Sequence, residues 1–152
     1  MATNKLKAVL LQLCQDDITL RLNNLKSIIE DLQQSLQSET KSSAGDKHET
    51  GRAMVQLERE KAGQQLAEIQ KTQVLLSKIN VEHSSKSIGL GSVVLTTKTN
   101  YFISISAGEL KTDNKTFYAI SPSTPIGLLL LGKSVGDSIT FRNNTFEIKE
   151  IS

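Results

Sequence analysis

Ile18, Leu22, Leu25, Ile29, Leu32 and Leu36 recur at alternating steps of four and three residues. That spacing draws a narrow apolar seam along a helix, the pattern of a coiled coil rather than of a helix with a broad core-facing side. Leu6, Val9, Leu10 and Leu13 extend the apolar surface towards the N-terminus, and the pattern stops in the polar stretch 38–45. It resumes at Met54, Val55, Ala62, Leu66, Ile69, Leu76 and Ile79, with Arg59 and Gln73 occupying seam positions, so the second seam is the weaker. Two seams joined by a short polar break predict an antiparallel helical hairpin that pairs within one chain, and hence a monomer. About 30 residues per arm at ~1.5 Å rise predicts a rod of roughly 45 Å, with residues 44–51 at its tip.

The rest of the chain has a different composition. All six aromatic residues and both prolines lie after position 100, whereas all ten glutamines lie between Gln12 and Gln73. A proline-free half rich in Gln, Leu, Lys and Glu favours helix, and a half rich in Val, Ile, Thr and Phe favours sheet. The expected division is a hairpin over 1–83 and a small α+β domain over 84–152, with residues 82–87 as the linker. Residues 1–83 carry 11 basic and 11 acidic side chains, and the net charge of +2 comes from the second half. That balance excludes a protein that coats nucleic acid through a strongly basic face. One cysteine, Cys14, excludes a disulfide framework. The first apolar run is too short to cross a membrane and lacks a small-residue cleavage pattern, so the expected location is the cytoplasm, away from membranes.

In the second half, Val93-Val94-Leu95-Thr96-Thr97 reads as a strand, Tyr101, Ile103 and Ile105 as one face of the next, and Phe117-Tyr118-Ala119-Ile120 as a third. Ile139-Thr140-Phe141-Arg142 and Thr145-Phe146-Glu147-Ile148 flank Asn143-Asn144, read as a two-residue hairpin turn. The apolar run from Thr124 to Leu131, following Pro122, predicts a short helix covering the sheet.

Several motifs invite a chemical reading. Gly127-Leu128-Leu129-Leu130-Leu131-Gly132-Lys133-Ser134 satisfies the phosphate-loop pattern G-x4-G-K-[ST] letter for letter. A phosphate loop leaves a strand and enters a helix whose N-terminus faces the phosphates. Here Pro125 precedes the stretch and only 18 residues follow Ser134, too few for a nucleotide-binding sheet. The motif therefore reads as a short buried helix ending at a glycine. Cys14 has no argued base beside it and reads as a small apolar helix residue. His48 and His83 have no metal-ligand spacing, and Asn114-Lys115-Thr116 and Asn143-Asn144-Thr145 are sequons without meaning unless the chain is secreted.

The tip, Gly45-Asp46-Lys47-His48-Glu49-Thr50-Gly51, remains. One reading is mechanical: Asp46 caps the second helix and Glu49 reaches back in a capping box. The other is chemical: two carboxylates at i and i+3 on the exposed end of a rod are hard oxygen ligands of the kind that hold Mg²⁺ while leaving its other positions to partners.

A helical hairpin with Gly-Asp-x-x-Glu at its tip, joined to a small sheet domain, resembles the GreA/GreB family of bacterial transcript-cleavage factors. Their tip reads close to G-D-x-x-E-N, and Gly45, Asp46 and Glu49 match it at the same spacing. The run from Ser121-Pro122 to Leu131-Gly132-Lys133-Ser134-Val135-Gly136-Asp137 resembles the family's S-P-[IL]-x-x-A-L-[IL]-G-K-x-x-G-D, with a short insertion after the proline. Phe146-Glu147-Ile148-Lys149-Glu150-Ile151 resembles its closing strand, so the resemblance covers most of residues 16–152.

The resemblance implies an antiparallel coiled coil followed by an FKBP-like α+β domain. It implies a protein that is not itself an enzyme and has no cofactor of its own. The C-terminal domain would bind RNA polymerase and the coiled coil would enter the secondary channel. There Asp46 and Glu49 would assist the polymerase's catalytic centre by sharing its Mg²⁺, so that the polymerase cuts backtracked RNA near its 3′ end. The tip departs from the family in Thr50-Gly51 and in carrying Lys41, Lys47, His48 and Arg52, which leaves a second role: a channel-bound regulator or inhibitor that does not stimulate cleavage. A prolyl isomerase built on the sheet domain is disfavoured by the scarcity of aromatic residues, at 4%. A plain coiled-coil interaction module is the remaining alternative.

Overall fold

A computed structural model describes the backbone of residues 2–41 and 45–152 and the side chains of residues 5–38 and 51–152. In chain order the elements are α1 (Ala2–Lys41), α2 (Gly45–Ser77), β1 (Val93–Thr96), β2 (Asn100–Ile103), β3 (Gly108–Thr112), β4 (Lys115–Ile120), α3 (Pro125–Leu130), β5 (Ser138–Phe141) and β6 (Asn144–Ile151). The class is α+β: a two-helix hairpin followed by a six-stranded mixed sheet. The contacts form two compact units, Ile18–Gln73 and, separately, Met1–Asp17 with Val74–Ser152. The change of composition near residue 83 and the division of contacts therefore fall at different places.

Within the helical unit the first seam is buried at Ile18 and Leu25 and half-buried at Leu22, Ile29, Leu32 and Leu36. The second seam is buried at Ala62 and half-buried at Val55, Leu66 and Ile69. Met54 lies outside it, 66% exposed, and Arg59 and Gln73 are also exposed. Two helices in contact bury only a stripe each, so much of each side chain stays in water. α1 is 40 residues long, about 60 Å at ~1.5 Å per residue. It exceeds the expected arm because its first turns belong to the sheet unit.

In the sheet the strand order is β3-β4-β2-β1-β6-β5, with β2 and β4 parallel and every other pair antiparallel. Phe102 and Ile103, adjacent on β2 and so pointing to opposite faces, are both fully buried. The sheet is thus covered on both sides, which explains why its central strands are apolar at consecutive positions. One face carries Val94, Ile103, Ile139, Phe146 and Ile148 against Leu130 of α3 and Ile88. The register places Val93, Phe102, Ala119, Phe117 and Leu110 on the other face. That face meets α1: the Cys14 thiol lies 3.5 Å from the Ser104 hydroxyl, Leu6 and Val93 line one cavity, and Leu10 and Cys14 are wholly buried. Leu6, Leu10 and Cys14 recur every four residues, one stripe of a helix.

Two strand assignments differ from the sequence reading. β3 (Gly108–Thr112) is polar at most positions and shows no alternation; it is an edge strand that pairs only with β4, where burial asks for one apolar residue, Leu110. The β5–β6 turn is Arg142-Asn143 rather than Asn143-Asn144, because Phe141 pairs with Asn144. Both turn residues have positive φ, 50° and 68°, as a type I′ turn requires, and the Arg142 guanidinium lies 5.0 Å from the centre of the Phe141 ring. This register sets Ile139 opposite Phe146, both in the core.

Candidate functional site

Asp46 and Glu49 lie in the first turns of α2, which begins at Gly45. The capping reading rests on the side chains of Asp46 and Glu49, which lie outside the described residues. Positions i and i+3 share a helix face, with Cβ atoms ~5–6 Å apart. The side chains of both acids, with Lys47 and His48, fall outside the described residues, as does the connection at 42–44. Arg52 is exposed. Among the described residues no group of three or more His, Cys, Asp or Glu could hold a metal ion. Two carboxylates fill at most part of the six-oxygen shell that Mg²⁺ demands, which leaves the other positions to water or to a partner.

The stretch that mimics a phosphate loop is structural. Thr124 caps α3, its hydroxyl accepting from the Gly127 N–H at 3.2 Å, and Pro125 occupies the first turn. Gly127, the first glycine of the mimic, is inside this helix. A Cβ there would meet the Ser121 carbonyl oxygen at 2.3 Å and the Thr124 hydroxyl at 2.9 Å, so only glycine fits. Gly127→Ala is expected to cost about 3 kcal/mol, the upper end of ordinary overpacking, read as a lower urea midpoint at unchanged m-value.

Gly132, at φ +79°, ends the helix. Its N–H donates to the Ile88 carbonyl at 2.8 Å and the Ile88 N–H returns a bond to Lys133 at 2.9 Å. Gly136 and Asp137 exchange bonds with Ile148 on β6, and the Asp137 carboxylate accepts from the Ser134 N–H at 2.8 Å. The Leu-Gly-Lys-x-x-Gly-Asp sequence therefore ties α3 to the start of the domain and to β6. Leu128, Leu129 and Val135 beside it stay exposed.

His83 is exposed, and its backbone carbonyl accepts a 2.6 Å bond from the Lys7 ammonium. Cys14 is buried where α1 meets the sheet and forms no disulfide. Lys7, which the sequence reading passed over, is 3% exposed. It stands three residues before Leu10 and seven before Cys14, on the buried side of α1, and a lysine in such a stripe was the available signal.

Burial alone pushes the Lys7 pKa below its ordinary 10.5. Between the folded and unfolded values the unfolded chain binds the extra proton, so the stability of the protein relative to Lys7→Met is expected to rise with pH as it passes through the folded pKa towards 10.5, and to level off beyond. Urea unfolding of both proteins from pH 7 to 11 measures this difference; a flat difference would contradict it.

No protein-family model matches the chain, and no curated protein matches it. Among solved structures, one described as "Structure of the transcription factor Gfh1" is similar to it at 23% identity, covering 90% of this chain and 91% of that one with a TM-score of 0.36. At that score the superposition is loose. Among the described residues no helix is long and apolar enough to cross a membrane.

Proposed function

We propose that this chain is a secondary-channel factor of bacterial RNA polymerase that stimulates the polymerase to cut backtracked RNA. The observation that carries the reading is the position of Gly45-Asp46-x-x-Glu49: two carboxylates about one turn apart at the start of the second helix of a narrow hairpin. The helical unit buries only its seams, so it is slender enough to enter a channel. The sheet domain, with its Leu-Gly-Lys-x-x-Gly-Asp clasp and the exposed Leu128, Leu129 and Val135, serves as the polymerase-binding part. Action on polymerase places the chain in the cytoplasm.

Asp46 and Glu49 are the residues that would hold Mg²⁺ jointly with the polymerase's own carboxylates. Bound there, the ion supplies electrostatic stabilisation of an in-line displacement at phosphorus. The chain's part is to bring two negative charges to the hairpin end and to hold them at fixed helical spacing. It requires no catalytic centre elsewhere in the molecule, so the factor is inert without polymerase.

Lys41, Lys47, His48 and Arg52 around the tip favour the second reading, a channel-bound regulator, because they offset the acids that would attract a cation. The two are separated by adding the protein to immobilised, backtracked elongation complexes and following both its retention and the length of the transcript. Retention with shortening of the RNA supports the cleavage factor. Retention without shortening supports the regulator, and no retention overturns both.

A further inference from the structure

Lys7 borders a cavity of about 240 Å³ lined also by His83, Ser85, Ser87, Ile88, Gly89, Leu90 and Ser92, all within the sheet unit. Its ammonium has three N–H donors, and the His83 carbonyl takes one of them. Two of the three lining serines accept a backbone N–H at their hydroxyl oxygen. Ser85 Oγ accepts from the Ser87 N–H at 3.4 Å and Ser92 Oγ accepts from the Gly89 N–H at 3.0 Å, which leaves their hydroxyl protons to be donated elsewhere. Among the described residues no aspartate or glutamate lines the cavity.

A cation that is 3% exposed ordinarily has an anionic partner, because an ammonium removed from water without one loses its hydration uncompensated. Among the described residues the lining therefore combines a buried positive charge with serine hydroxyls and no competing carboxylate. We propose that this cavity binds a small oxyanion of phosphate size, held by the Lys7 ammonium and the Ser85 and Ser92 hydroxyls. The tetrahedral oxygens of phosphate receive donors from several directions, whereas a monocarboxylate presents its acceptor sites in one plane. The site is independent of the hairpin tip and of the function assigned to it.

Calorimetric titration of the full chain with inorganic phosphate, at constant ionic strength and pH 7, tests the proposal. Saturable one-site binding is expected, weakened at least tenfold in Lys7→Met and several-fold in Ser92→Ala, with acetate binding more weakly than phosphate. Absence of saturable binding in the parent protein, equal affinity in Lys7→Met, or acetate binding as tightly as phosphate would overturn it. Should Lys7→Met lose its circular dichroism, the Lys7 pKa followed by NMR in the parent protein decides instead. Phosphate is expected to raise it, and an unchanged value overturns the proposal.

Discussion

A chain beginning at Ile18 is expected to lose the cooperative fold of its sheet domain, even though every strand is retained. The reason is the second face of the sheet. Phe102, Phe117, Val93 and Ala119 are buried on the side where the Cys14 thiol meets Ser104 and where Leu6 shares a cavity with Val93. Removing residues 1–17 deletes Leu10 and Cys14, both wholly buried, along with Leu6, and uncovers the aromatic residues beneath them. Burying a large apolar side chain contributes about 1.5–3 kcal/mol, so losing this stripe and its covered partners is comparable with the whole ~5–15 kcal/mol that holds a domain together.

All six aromatic residues lie in the sheet half, so near-ultraviolet circular dichroism reports on that unit without interference from the hairpin. The truncated chain is expected to show a collapsed near-ultraviolet signal and no sharp urea transition in it, with helical far-ultraviolet signal retained. A truncated chain that kept the parent's near-ultraviolet transition would contradict the two-sided packing. By the same argument residues 84–152 alone are expected to fold poorly, although composition marks them as a self-contained domain.

That contrast shows where the sequence was legible. The 3–4 alternation from Ile18 to Leu36 reports a helix that touches another helix, and burial at Ile18 and Leu25 bears it out. Continuing the alternation towards the N-terminus selects Gln15 and Leu11, yet the structure buries Cys14 and Leu10. The apolar stripe changes phase between Cys14 and Ile18 because α1 exchanges one partner for another, leaving the sheet unit at Asp17. A change of phase inside one uninterrupted helix is easily read as a continuation of the seam.

The sheet was legible where burial imposes a pattern. β1, β2, β4, β5 and β6 follow from their apolar runs, and α3 from the apolar run between Thr124 and Leu131; the Thr124 cap emerges only in the structure. β3 was not, because an edge strand with one buried residue carries little of that pattern. The Arg142-Asn143 turn was misplaced by one residue because asparagine tolerance of positive φ favours Asn143-Asn144, whereas the pairing of Phe141 with Asn144 puts Arg142 in the turn. The tip acids were picked out by spacing and resemblance, and α2 places both in its first turns. Lys7 was missed because a lone lysine among leucines ordinarily reaches water, and only the packing of α1 on the sheet buries it.

The larger functional effect is expected at those acids. Asp46→Asn with Glu49→Gln removes both negative charges while preserving size and hydrogen-bonding capacity, and both positions are in a helix that neither substitution should break. Binding to polymerase is expected to survive, since the proposed binding surface is on the sheet unit. Stimulated cleavage is expected to fall by about 10²-fold or more, the scale of a positioned acid, base or charge in a transition state.

The central claim is that this chain completes the polymerase's own RNA-cleaving centre with Asp46 and Glu49. The measurement that meets it most directly is the rate of transcript cleavage in backtracked complexes carrying saturating amounts of the parent protein or the Asp46→Asn/Glu49→Gln variant. The account predicts rapid shortening of the RNA with the parent and a rate close to polymerase alone with the variant, at equal occupancy. Equal rates with both proteins would contradict it, as would a parent protein that binds and leaves the rate unchanged.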